Sequence, residues 1–201
     1  MIKKLLTIVL LFCSVNVHSA LVIGTNCVFV TVAPSGDPGA GDNGSFDSYA
    51  IAGMFTAPAD GTVTQIGLWV DSGNEESQYN FAIYTDDSSK PDVVVGSIDV
   101  ASKPGTQGVW HTSGVMSASV TGTVVYHIAV QLDNTSTPTD IDYTTDAGET
   151  ENYKGSGATE LTDPWGSSSG SLGRLLAIYA LYTPAGAPAT GEAVPQIWIL
   201  E

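Results

Sequence analysis

Residues 79–96, YNFAIYTDDSSKPDVVVG, decide the fold. Tyr79, Phe81 and Ile83 alternate with Asn80, Ala82 and Tyr84, the period-two pattern of a strand with one buried face and one half-buried face. Asp86, Asp87, Ser88 and Ser89 favour turns, and Pro91 has no N–H to give a ladder. The chain therefore reverses here, between two strands.

The same period recurs outward from this hairpin. In residues 62–70, Thr64, Ile66, Leu68 and Val70 share one face, and Val63, Gln65, Gly67 and Trp69 the other. Val124, Tyr126, Ile128, Val130 and Leu132 form a second regular face, and RLLAIYALYTP (174–184) is an apolar strand with a proline stop. Shorter candidates lie at 21–32, 49–56, 98–100, 109–116, 141–144 and 196–200, with 21–32 apolar enough to be buried on both sides. The intervening stretches are turn formers, such as APSGDPGAGDNGSFDS (33–48) and the Ser/Gly run 166–173. Residues 133–163 show no clear periodicity. Hydrophobic residues make up 43% of the 201, enough for one sizeable core and too many for a disordered chain. Nine or ten short strands without helical patterning predict an all-β, two-sheet antiparallel β-sandwich of jelly-roll type.

The N-terminus has a different purpose. Lys3 and Lys4 precede the apolar run 5–12, and Val17-His18-Ser19-Ala20 has the small residues of a cleavage site, so residues 1–19 read as a secretory signal peptide. The run is too short to span a bilayer, so no membrane insertion is expected after its removal. The expected organisation is an N-terminal strand and loop (20–48), a sandwich module (49–184), then a linker and C-terminal strand (185–201). The formal net charge is −15, and cleavage leaves four basic residues against 21 acidic ones. That surface argues against nucleic acid as a partner. Cys13 leaves with the signal, so Cys27 has no intramolecular disulfide partner and reads first as a buried thiol.

Four motifs carry a resemblance: FTAPADGTVTQIGLWV (55–70), FAIYTDDSSKPDVVVGS (81–97), GVWHTSGV (108–115) and VVYHIAVQL (124–132). Their order resembles a jelly-roll β-sandwich module of secreted bacterial and phage-associated proteins, seen in choice-of-anchor-like surface proteins and similar to carbohydrate-binding modules. The resemblance covers about two-thirds of the chain. It implies a non-enzymatic surface protein of carbohydrate-binding or adhesion type. Its motifs are structural turns, so it assigns no ligand residue.

Site candidates follow from residue chemistry. Trp69, Tyr84, Tyr143, Tyr153 and Trp165 are the aromatics that would stack on a glycan, although Trp69 and Tyr84 also suit packing beneath a loop. Asp140 and Asp142 fall on one strand face with Asp146 just beyond, the carboxylates that would suit a calcium ion. Without that ion, the acidic loops are solvated surface. Catalysis finds little support. Gly166-Ser167-Ser168-Ser169-Gly170 lacks the strand and helix of a nucleophile elbow, and every glutamate falls in an expected loop or at the chain end. His111 and His127 sit beside strand patterns, as structural histidines do. A rival reading is a structural subunit of an extracellular filament, binding copies of itself through the terminal strands, with Cys27 and Trp198 at the subunit contact.

Overall fold

The computed structural model describes residues 20–39, 41–46, 49–72, 77–103, 107–132, 139–145, 150–155 and 160–186. Among these the secondary structure is strand and turn, in two sheets. The strands are β1 (Val28–Val30), β2 (Asp42–Ser45), β3 (Ala50–Thr56), β4 (Gly61–Ser72), β5 (Ser77–Asp86), β6 (Pro91–Lys103) and β7 (Val109–Thr112). They continue with β8 (Ala118–Val120), β9 (Val125–Leu132), β10 (Asp140–Thr145), β11 (Glu151–Lys154), β12 (Gly170–Leu172), β13 (Arg174–Leu176) and β14 (Ile178–Pro184). One sheet runs β1-β14-β4-β10-β13, with β2 on β10 and with β7 and β8 on β4. The other runs β12-β11-β3-β9-β5-β6. Every pairing is antiparallel except β1 with β14, which is parallel.

Inward residues of both sheets meet in one core. Ile66, Leu68, Val70, Ile178 and Ala180 come from the first sheet, and Ile51, Phe81, Ile83, Tyr126, Ile128, Val130 and Leu132 from the second. The alternation in the sequence is therefore the alternation of the pleat. It breaks in β4, at one of several register shifts in the two sheets. There Leu181 pairs with Gln65 and Tyr182 with Val63, so Thr64 is an extra residue in a β-bulge. The bulge brings Val63 onto the core side with Ile66. Strict alternation, which puts Thr64 inside and Val63 outside, is wrong for this stretch because one inserted residue flips the face.

The 79–96 hairpin forms as expected, and its turn is tight. Asp87 and Lys90 exchange backbone hydrogen bonds across Ser88 and Ser89, whose φ angles are 54° and 67°. Two other expectations change. Ile98 and Val100 belong to β6, which runs unbroken through Lys103. Asn80, Ala82 and Tyr84 are fully covered rather than half-buried. Alanines 50, 52, 82 and 129 leave a shallow trough on the outer face of the second sheet, and Trp165 fills it against Tyr84. The Trp165 N–H bonds the Asp92 carbonyl at 2.7 Å, and Asp163 Oδ1 accepts from the Val94 N–H at 3.2 Å. The same loop thus covers the face and caps the open edge of β6, which would otherwise offer unpaired backbone to another chain.

The N-terminal segment also differs from a single long strand. Val22 N–H donates to Asn26 Oδ1, Gly24 takes a φ of 76°, and only Val28–Val30 form β1. Phe29 then packs edge-on to Tyr126 and Tyr182. β2 likewise pairs with β10, so strands on both sides of residue 49 share one sheet. Cys27 is fully buried in this chain's own core, as its first reading expects, and not at the surface that the rival subunit-contact reading needs.

Candidate functional site

A cavity of about 330 Å³ opens where β2, β10 and β13 of the first sheet meet β11 and β12 of the second. Its walls are aromatic. Phe46 and Tyr49 come from the link between β2 and β3, Tyr143 from β10 and Tyr153 from β11. Two glycines let the rings approach the backbone closely. A Cβ at Gly170 would fall 2.6–3.0 Å from Tyr153, and one at Gly44 would fall 2.9 Å from Phe46 and 3.3 Å from Tyr143.

The polar groups are Glu151 on β11 and Arg174 on β13. Glu151 is fully buried, and neither carboxylate oxygen has a hydrogen-bond partner among the described residues. Arg174 Nη1 stands 3.8 Å from Glu151 Oε2, close enough for attraction and too far for a hydrogen bond. The Arg174 side chain is 25% exposed, and its guanidinium lies 4.2 Å over the Tyr143 ring and 5.7 Å from that of Phe46. Burial pushes the Glu151 carboxyl up to about 7, with Arg174 pulling the other way. Ser45 and Asn43 add polar groups at the mouth, where Asn43 Nδ2 reaches Asp71 and Ser45 Oγ donates to Asp140.

The sequence candidates divide between this cavity and the interior. Tyr143 and Tyr153 line the cavity. Trp69, Tyr84 and Trp165 do not reach solvent and present no ring to a ligand. Trp69 is buried edge-on to Trp110, whose Nε1–H donates to the Gly36 carbonyl and so pins the 33–38 loop over this face. Tyr84 donates from its hydroxyl to the Thr162 carbonyl. Trp165 donates from Nε1 to Ser168 Oγ, and Lys154 Nζ sits 4.9 Å over its ring. Trp69 and Tyr84 look outward in a flat reading of their strands, but loops that no periodicity marks fold over them, and Trp165 is itself carried by the loop that covers Tyr84.

Asp140 and Asp142 lie on β10, the first half-buried and the second buried, while Asp146 and Trp198 lie outside the described residues. Among the described residues no three His, Cys, Asp or Glu side chains gather as a metal site would require. His111 packs 5.4 Å from the Tyr79 ring, and His127 bonds Asp86 through Nε2 at 2.7 Å.

Glu151, Arg174, Tyr49 and Phe46 were not legible as a site. Glu151 reads as a loop residue because its strand has four residues and sits in the aperiodic stretch. The signal was there in ENYK, where Glu151 and Tyr153 alternate with Asn152 and Lys154. The inner pair faces the cavity, while Asn152 bonds outward to the Ser89 carbonyl. The chain matches no model of a known protein family and no curated protein sequence.

Proposed function

We propose that this chain is a secreted, non-enzymatic β-sandwich module of jelly-roll type that binds carbohydrate in the tyrosine-walled cavity. The observation that carries this reading is the pairing of four aromatic side chains with a buried carboxylate and a guanidinium in one cavity. A sugar ring has apolar C–H faces that stack on tyrosine, and hydroxyls at its edge that need donors and acceptors. A few placed polar groups within apolar walls are the usual composition of a small-molecule site. The basic and apolar leader supports export, and the net charge of −15 speaks against a nucleic-acid ligand.

The reading is of binding rather than cleavage. Glycoside hydrolysis uses a pair of carboxylates across the scissile bond. Among the described residues lining the cavity, Glu151 is the sole carboxylate.

The test is a glycan array with the chain lacking residues 1–19, followed by calorimetric titration of the sugars retained. Tyr153→Ala and Tyr143→Ala should each weaken binding by roughly ten-fold or more, given about 0.5–1.5 kcal/mol per aromatic contact beyond the area lost. Retention of no glycan, or equal affinity in both variants, would remove this reading.

A further inference from the structure

We infer that the Glu151–Arg174 pair makes the cavity selective for neutral sugars over their uronic-acid and amino-sugar counterparts, through one ligand hydroxyl bridging the two side chains. This rests on the carbohydrate reading above and adds the class of sugar. The 3.8 Å gap between Glu151 Oε2 and Arg174 Nη1 leaves both groups without a hydrogen bond to each other. Both oxygens of Glu151 also lack any other partner among the described residues. A bridging group must donate to the carboxylate and accept from the guanidinium. A hydroxyl does both, because it carries one donor and two acceptor lone pairs.

Charged groups satisfy one side only. A sugar carboxylate would accept from Arg174 but stand beside Glu151. A sugar ammonium would donate to Glu151 but stand beside Arg174. Like charges brought together in a site shielded from water repel, so each charged sugar gains one contact and loses the other. The other polar side chains among the described lining residues are Asn43, Ser45, Tyr49, Tyr143 and Tyr153, which bring no further carboxylate, amine or guanidinium. They do not offset either repulsion.

Access sets the order of events. Glu151 is fully buried and Arg174 is one-quarter exposed, so a ligand meets the guanidinium first. Arg174 is not hydrogen-bonded to Glu151 and rests on ring faces, so no hydrogen bond between the two has to break for a hydroxyl to come between them.

The experiment uses the chain lacking residues 1–19 at pH 8, where Glu151 is ionised. The probes are matched triplets: glucose, galactose and mannose, each with its uronic acid and its 6-amino-6-deoxy sugar, whose primary ammonium keeps its charge at this pH. Protein-observed NMR titration reads affinity. The expected result is that a neutral hexose binds at least about ten-fold more tightly than both its charged counterparts. Glu151→Gln keeps a hydrogen-bonding amide and removes one charge, so it should narrow the gap to the uronic acid and leave the amino sugar excluded. Equal or tighter binding of either charged sugar by the unsubstituted chain would overturn the selectivity while leaving the carbohydrate reading in place. An uronic-acid gap unchanged in Glu151→Gln would also overturn it. Binding of no member of any triplet would remove the carbohydrate reading and this inference together.

Discussion

Glu151 makes the stability of this protein depend on pH. Its folded-state value is about 7 against an ordinary 4.5, so the folded chain holds a proton that the unfolded chain has already released. Stability therefore falls as pH rises through that window, and above it the buried carboxylate costs about 3 kcal/mol. His127 tilts the profile the other way. Burial lowers its value below 6.5, against the opposing pull of Asp86, so the folded imidazole stays neutral while the unfolded one charges, and stability is lost as pH falls below 6.5. In urea unfolding between pH 5 and pH 8, Glu151→Gln should gain stability at the alkaline end, and His127→Gln should flatten the acid end. Parallel curves for Glu151→Gln and the unsubstituted chain would show that the carboxylate is solvated. The hairpin turn offers a simpler case. Ser88 and Ser89 both sit at positive φ, where an L side chain is strained. Ser89→Gly should stabilise by about 0.5–1 kcal/mol, because the Ser89 carbonyl that Asn152 bonds is retained. A loss in denaturant midpoint would mean that the serine side chain holds the turn.

At the scale of elements, the central strands β3, β5 and β9 of the second sheet are buried on both faces, once by the opposite sheet and once by a loop. Ile128 on β9 tests the inner face. Its truncation to alanine should cost about 2–5 kcal/mol through lost burial and the cavity left behind. Trp165 tests the outer face. Trp165→Ala should cost about 3–5 kcal/mol and empty the alanine trough. It should also loosen the backbone bond to Asp92 that caps β6, so the variant should form oligomers that the unsubstituted chain does not, visible by size-exclusion chromatography. A destabilised but strictly monomeric variant would assign Trp165 to packing and leave the edge guarded by β6 itself.

Across the whole molecule, the N-terminal segment belongs to the sandwich. β1 closes the β14 side of the first sheet, and Phe29 fills a space between Tyr126 and Tyr182, which belong to different sheets. A chain beginning at Ala33 should therefore lose cooperative unfolding or precipitate, as followed by circular dichroism and sedimentation. Unchanged melting in that chain would make β1 an accessory strand, available to a neighbour after all.

The sequence by itself determined the class of fold, the central hairpin and the core strands β4, β5 and β9, because a period-two pattern over eight or more residues has one physical meaning. It also marked Tyr143 and Tyr153 as aromatics in an irregular stretch. Tertiary structure alone decided which rings are buried and where the cavity lies. The period of a strand says which residues share a face, but not what covers that face. Trp69 and Tyr84 were hidden by loops, one of them carrying Trp165, whose closure depends on contacts between distant residues, such as Trp110 with Gly36 and Trp165 with Asp92. The cavity needs β2, β10, β11 and β13 together, and none of these strands exceeds six residues. Strands that short carry too little local pattern to be read. Glu151 and Arg174, 23 positions apart in the chain, meet only because two different sheets deliver them to the same end.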